Sequence, residues 1–505
     1  MPSRREFLSL AGAAVASSLP AADPQPPGKL LVRRDIYGLD VNGPEIKSLR
    51  KAVAVMKAKP KDDPTSWVYQ SNIHGTYDTP LKRAWATCQH GNYWFAPWHR
   101  MYCYWFERIL RASAEDPTLT LPYWNYGPPS QRKLPLALRE PADPEKNSLF
   151  EPKRNTEWGG INNGAEIPGS AVVMFRPFAF TNYYSSKGQQ DSFGGQTIPS
   201  PVHYDDPHGA FESWHDILHV ICGGETGYFS DPNLAGLDMG FWLHHCNVDR
   251  LWKRWLDQKG GRANPVHDKD WLDRKFPFFD ETGKPVEMCA RDVLSTEFQL
   301  GYRYEDDPPP ARMTVPNATP VAPRYTDAAN AVEVAASTEP RVVRLGLEPA
   351  IAKIELTPKA AEEIAAGVAT GVDGAVQLTI DDIEHKKEPG VYFEVYLNLP
   401  DGTEPNYQEI SYVGNFSFIG LRPVVQKADL HGDKQPVHGD RTFPVGDVIQ
   451  TLMERKLWDG KTATVTVVLR GLKPIPGLKE YDKPKIDARF RRAVLSRVPV
   501  ETAKK

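Results

Sequence analysis

The arrangement of apolar and polar positions divides the chain into a helical part and a later, alternating part. Helices are expected over Ile46 to Lys57, Phe95 to Ala112, Ala210 to Ile221 and Phe241 to Leu256. Beyond about Arg341 the pattern shifts, and Ala375 to Ile380, Val391 to Leu399 and Thr462 to Leu469 read as strands of a β sandwich. A short helix is expected over Val445 to Lys456. Between the two parts, Asp306 to Pro323 is rich in proline after the run Glu305-Asp306-Asp307, which marks a linker leaving the first core. The expected fold is a mainly α domain over 23–305, a linker over 306–340 and a mainly β sandwich domain over 341–505. At 505 residues the chain is long for one domain and comfortable for two.

Residues 1–22 stand apart. Ser3-Arg4-Arg5-Glu6-Phe7-Leu8 leads into an apolar run from Leu8 to Leu19 and then Pro20-Ala21-Ala22, the pattern of a twin-arginine export signal. The run is too short to span a bilayer, so cleavage near Ala21 or Ala22 and delivery to the periplasm or the medium are expected, with no membrane attachment afterwards. A net charge of −3, without a basic patch interleaved with aromatics, argues against nucleic acid as a partner. The 46 prolines, about 9% of the chain against a usual ~5%, imply long irregular loops on a rigid scaffold. Five cysteines are an odd count, so a disulfide scaffold would leave one over. Cys103, Cys222, Cys246 and Cys289 form either free buried thiols, the preferred reading, or two bridges.

Candidate chemistry lies in the histidines. Nine of 13 fall between His74 and His245, among tryptophan-rich and phenylalanine-rich segments where an unpaired imidazole would be costly to bury. Two clusters emerge, His74, His90 and His99, then His215, His219 and His245. In Glu212-Ser-Trp-His215-Asp-Ile-Leu-His219 two imidazoles lie one helical turn apart on one face, so one ion can be chelated by both. The segment Phe241-Trp-Leu-His244-His245-Cys-Asn-Val-Asp249-Arg-Leu-Trp252 adds a third arm, with Asp249 spaced to orient the His245 ring from behind.

Three neutral imidazoles per ion, without cysteine at ligand spacing or a carboxylate cluster, point to copper or zinc rather than magnesium, calcium or a di-iron centre. A His-Glu-x-x-His zinc protease needs glutamate where this chain has Asp216, and a di-iron bundle needs two Glu-x-x-His pairs where only Glu212 to His215 is found. Four helices gripping two metals make a four-helix bundle. His203, His208, His267, His385, His431 and His438 read as ordinary solvated or packed residues.

These residues resemble a known family, the type 3 copper proteins, comprising tyrosinases, catechol oxidases, plant polyphenol oxidases and hemocyanins. Cys88-Gln-His90-Gly-Asn-Tyr-Trp-Phe95-Ala-Pro-Trp-His99-Arg100 is similar to the first copper motif, and Ile73-His74-Gly75 to the segment bearing its first histidine. Phe241 to Trp252 is similar to the second copper signature, whose usual opening Asp-Pro is here Asp238-Met239. The resemblance implies His245 as the ligand and His244 as its neighbour, while sequence alone leaves the reverse assignment open. Arg33-Arg34 with Ile46 to Lys59 resembles the opening of mature plant enzymes, and Gly301-Tyr302-Arg-Tyr304-Glu305 the tyrosine motif that closes their catalytic domain. Gly390 to Asn398 and Tyr412 to Phe418 resemble the β-rich domain that follows it in plant and fungal proenzymes.

The resemblance implies a dinuclear centre of two copper ions, with a small phenol and O2 as reaction partners. The expected activity is that of a tyrosinase, which hydroxylates monophenols at the ortho position and oxidises o-diphenols to o-quinones. A catechol oxidase, an o-aminophenol oxidase and, from another class, an oxygen carrier of hemocyanin type are the alternatives. Glu212 takes the place of a glutamate that orders a water able to accept the phenol proton, and Asp216 that of the water's second anchor, where many tyrosinases have asparagine. Val220 would line the pocket mouth, and Phe95 would pack against the histidines. Cys88 would form a thioether with the His90 imidazole. A side chain from the Phe416 to Ile419 turn would cover the copper site as a lid. An oligomer is left open.

Overall fold

The structure, a computed structural model, describes residues 30–185, 192–201, 209–258, 260–307, 325–326, 330–385, 390–419, 439–478 and 481–501. The expected export signal, His203, His208, His431, His438 and most of the expected linker lie outside the described residues.

Among the described residues, the helices of eight residues or more in the first domain are α1 (Pro44–Ala58), α2 (Trp67–His74), α3 (Phe95–Ala114), α4 (Ala210–Gly223) and α5 (Met239–Asp257). The sequence pattern predicts α1, α3, α4 and α5 but not α2. This helix is short, and Gln70, Ser71 and Asn72 are buried beside its apolar residues, which leaves no clean stripe. Ser66 caps it by accepting from the Tyr69 N–H at 3.1 Å. The metal-bearing bundle is therefore α2, α3, α4 and α5, with α1 packed outside α3. All of α4 is buried, as is most of α3 and α5, around fully buried Trp94, Trp98, Trp242, Trp252 and Trp255.

Asp238, the departure from Asp-Pro, caps α5 by accepting from the Gly240 N–H at 2.7 Å. It also takes both Nε and Nη2 of Arg154 at 2.7 Å. The two segments expected to bracket this domain meet: β1 (Leu31–Arg33) pairs in parallel with β2 (Tyr302–Tyr304), Arg33 opposite Tyr304.

Besides a two-stranded sheet of Tyr325–Thr326 with Val500–Glu501, the second part holds two larger sheets. One has β3 (Val332–Ala336), β4 (Val343–Leu345), β6 (Val376–His385), β9 (Gly439–Pro444), β11 (Ala488–Phe490) and β12 (Arg492–Arg497) in the order β3-β12-β6-β11-β4, with β9 also on β6. The other runs β8-β7-β10-β5, from Tyr412–Phe416, Tyr392–Leu397, Thr462–Arg470 and Ala350–Glu355. A helix at Gly446–Glu454 matches expectation, and one at Pro358–Val368 was not foreseen. Because β3 pairs with β12 and Tyr325–Thr326 pairs with Val500–Glu501, the stretch expected as linker contributes strands to this unit, which reaches back at least to Tyr325 rather than 341.

The two parts share packing. Tyr392 and Leu472 join the helical core, and the Trp158 ring packs against both cores. The Ser170 and Tyr392 hydroxyls hydrogen-bond at 2.5 Å, and Asn415 Nδ2 donates to Ser170 O at 3.1 Å. Glu166 and Lys473 exchange backbone hydrogen bonds and pair through Lys473 Nζ at 2.6 Å.

Of the expected lid, the aromatic residues are corrected. Phe416 and Phe418, two apart and so on one face, turn into the sheet core against Phe393, and Phe418 stacks on His385 at 4.6 Å. Their apolar rings gain more from that core than they would over a polar site. Instead Tyr412, Gly414 and Asn415 face Ala210, Ser213 and Trp214 of α4 across a small cleft. No helix among the described residues is long and apolar enough to cross a membrane.

Candidate metal centre

The six predicted histidines come together in two buried groups, His74, His90 and His99 in one, His215, His219 and His245 in the other, the latter joined by His244. His74 ends α2, His99 lies at the start of the second turn of α3, His90 comes from the loop between them, and the rest lie on α4 and α5. Nε2 atoms face one another: His74 and His90 at 3.3 Å, His215 and His219 at 2.8 Å, and His245 with each of these two at 3.3 Å.

What turns those atoms inward is a set of acceptors on the opposite ring nitrogen. His74 Nδ1–H donates to Pro232 O at 2.8 Å, His99 Nδ1–H to Phe95 O at 2.8 Å and His219 Nδ1–H to Phe229 O at 2.7 Å. His90 Nδ1–H donates to Glu212 Oε1 at 2.9 Å, and His215 Nδ1–H to Asp216 Oδ1 at 3.0 Å. Each acceptor fixes the tautomer with the proton on Nδ1 and leaves the Nε2 lone pair for a metal. Burial also holds the rings neutral, lowering His99 to about 3 and His219 to about 4, and pushing His215 and His245 well down.

Convergent neutral imidazoles with no carboxylate among the ligands fit copper, and His99 Nε2, buried without a hydrogen-bond partner among the described residues, is a lone pair awaiting an ion. The geometry favours His245 over His244 as the third ligand of the second group, since His245 Nε2 meets both other Nε2 atoms while His244 Nδ1 is engaged by the Tyr126 hydroxyl at 3.0 Å.

Phe95 lies between the groups, its ring 4.7 Å from His99, 4.8 Å from His215 and 5.5 Å from His90. Glu212 is buried across the gap, both carboxylate oxygens also accepting from the Gly91 N–H, at 2.9 and 3.0 Å. Gly91 has a φ of +71°, a conformation that suits glycine and aims this N–H. Val220 is buried on α4, and Cys88 and the other four cysteines are buried and form no disulfide with one another.

Asp249 is corrected. It does not reach His245, whose Nδ1 has no hydrogen-bond partner among the described residues. Its carboxylate is taken by Arg100, by Arg33 at 3.1 Å and by the Tyr302 and Tyr304 hydroxyls, each at 2.5 Å. Two fully buried guanidinium groups out-compete a neutral imidazole for a buried carboxylate, so Asp249 ties α3 and α5 to the β1–β2 pair. Arg33 also pairs with Glu107 at 2.8 Å.

The sequence reading missed Tyr126, Pro232 and Phe229. The carbonyl acceptors carry no side-chain signature, and Tyr126 sits in a loop far from either copper motif.

A model of the common central domain of tyrosinase matches residues 64–206 and 176–258, a polyphenol oxidase middle domain matches 265–317, and a domain of unknown function matches 330–474. A tyrosinase from Hahella sp. (strain CCB-MM4) is 30% identical over 475 residues, covering 86% of this chain and 94% of that protein. A chloroplastic polyphenol oxidase of Malus domestica is 28% identical over 433 residues, covering 77% and 68%. The solved structure of latent apple tyrosinase aligns with a TM-score of 0.60 at 23% identity over 96% of this chain and 100% of that one, a likeness of fold. With the two histidine clusters in place, the chain belongs to the tyrosinase and polyphenol oxidase family, with a centre suited to two coppers.

Proposed function

We propose that this copper oxidoreductase is a tyrosinase in the full sense, hydroxylating small monophenols at the ortho position and oxidising the resulting catechols to o-quinones. The observation that carries the reading is Glu212, a buried carboxylate bonded to His90 Nδ1 and Gly91 N and spanning from the helix of one cluster to a ligand of the other. This buried carboxylate stands where the resemblance places the residue that orders a water able to take the phenol proton. Asp216 shares this role beside His215. When bound, the copper pair supplies O2 binding and the electron transfer of the oxidation. The protein's own part is to orient six imidazoles, exclude water around Phe95 and provide the proton acceptor. The Hahella relative, named a tyrosinase, supports the same reading.

Three further features belong to this proposal: Val220 lines the pocket mouth, the Cys88 sulfur is bonded to a ring carbon of His90 in a thioether whose formation gives up two protons and two electrons to O2, and residues 1–22 direct twin-arginine export to the periplasm or the medium. Oxygen uptake by the copper-loaded protein on a monophenol, with no diphenol added, tests the central statement. Uptake followed by quinone absorbance is expected, and uptake on catechols alone would make the chain a catechol oxidase.

A further inference from the structure

The last carbonyls of α4 need partners from outside the helix, and His219 stands four residues before its end. Two of them are taken by one residue from a distant loop. Asn155 Nδ2 donates to Ile221 O at 2.8 Å, and Asn155 N–H donates to Cys222 O at 2.9 Å. Asn155, Ile221 and Cys222 are all buried, so losing these bonds would leave buried carbonyls unpaired. The same helix end also locates the acceptor of the His219 ring. Ser230 Oγ donates to Gly224 O, the residue after α4, at 2.6 Å, and its neighbour Phe229 offers the carbonyl that takes His219 Nδ1–H.

Asn155 is in turn gripped by the β-rich domain. Its loop is closed on itself, with Glu157 N–H donating to Asn155 Oδ1 at 2.8 Å and Ile161 N–H to Asn155 O at 3.0 Å. Inside this loop Trp158 holds a φ of +60°, a costly conformation for a bulky side chain that persists only where the surroundings enforce it. Those surroundings belong to the second domain: Trp158 N–H donates to Asp482 O at 3.0 Å, and its ring packs against both cores and lies 5.8 Å from Tyr481. Gly390 precedes β7 and Gly471 follows β10, at one end of a strand pair in which Tyr392 lies opposite Arg470. Neither has room for a side chain. A Cβ at Gly390 would lie 2.6 Å from Asn155 Nδ2 and 2.8 Å from Gly224 Cα, and one at Gly471 would lie 2.2 Å from Trp158 Nε1.

We infer that Asn155 and Trp158 are positioning residues through which the β-rich domain holds the end of α4, and with it His219, in place for the second copper. The domain thus contributes to metal binding without supplying a ligand. The inference rests on the two-copper centre. A chain holding fewer than two coppers fails that reading, whereas a two-copper chain whose second site ignores this contact fails the inference alone.

The test uses the full-length copper protein, crystallised and equilibrated with a competing chelator, with the occupancy of each copper read separately at the copper absorption edge. Asn155→Ala removes the bond to Ile221 O and is expected to weaken copper at His215, His219 and His245 about fivefold, the worth of one neutral hydrogen bond, while copper at His74, His90 and His99 stays within about twofold. Gly471→Ala lies in the β-rich domain and displaces the Trp158 ring, and it is expected to give the same one-sided loss. Should Gly471→Ala not fold, Trp158→Leu empties the same seat without adding a clash. Equal weakening of both coppers would mark a general loss of stability, and an unchanged second copper in Asn155→Ala or in the Trp158 seat variant would show that the domain does not reach it. Either result would overturn the inference.

Discussion

Glu212→Gln separates two roles that one carboxylate combines. In the structure Glu212 takes the His90 Nδ1–H at 2.9 Å and the Gly91 N–H at 2.9 and 3.0 Å, all buried. Glutamine keeps the length and one acceptor oxygen but removes the charge and turns an NH2 toward one of those two donors. A hydrogen bond to a charged group contributes about 1.5–3 kcal/mol and a neutral one about 1 kcal/mol, so the loss is about 0.5–2 kcal/mol. With 1.4 kcal/mol per tenfold, copper affinity at the His74–His90–His99 site should fall about tenfold, within the ~10–100-fold range for lost orienting partners. Titration of the copper protein with a competing chelator measures this directly. One copper should leave at about tenfold lower chelator concentration while the other is unchanged. At saturating copper, monophenol turnover should fall further than diphenol turnover. If both coppers kept their affinity within about twofold, the orientation of His90 would not depend on this carboxylate, and the reasoning would be refuted.

Other outcomes follow from the same geometry. Asp249→Asn should destabilise by about 3 kcal/mol in urea, the low end for breaking a buried ion pair because Glu107 still pairs Arg33, while copper content stays at two per chain. A change below about 1 kcal/mol, or loss of one copper, would contradict the reading of Asp249 as a structural hub. Gly75→Ala places a Cβ 2.6 Å from Pro232 O, the carbonyl that holds His74, and 2.9 Å from Asn233 Oδ1. It should cost about 1–3 kcal/mol and loosen the first copper, and an unchanged melting temperature would refute it. Burial, then Glu225 and Asp482, raise Glu157 from 4.5 to about 7 where it lies beside Gly390. The folded chain thus binds the extra proton between those values, so this contribution to stability is present at low pH and lost as pH rises toward 7. Melting temperatures of Glu157→Gln and the unaltered protein should diverge as pH rises through that window, the variant being favoured at pH 8, and parallel curves would count against it.

The parts of this centre that were legible in the sequence are local. His215 and His219 sit one turn apart on α4, and His90 and His99 bracket Phe95 within ten residues, so spacing and resemblance find them. Asp249 was misread because its partners Arg33 and Tyr302 lie 216 and 53 residues away, and no local spacing reports a pairing made by tertiary folding. Glu212 was found but only in part, since its partner His90 is 122 residues off. Phe416 and Phe418 were misplaced for a different reason: alternation shows that they share a face but not which way it points. Strand β3 hid in the expected linker because its partner β12 lies at the far end of the chain.

Diffraction from the copper-loaded protein at the copper absorption edge tests the central claim most directly. Two anomalous peaks per chain are predicted, one within about 2 Å of Nε2 of His74, His90 and His99, the other of His215, His219 and His245, with His244 on neither. A single peak, a metal held through Nδ1, or a peak bonded to His244 would contradict the account.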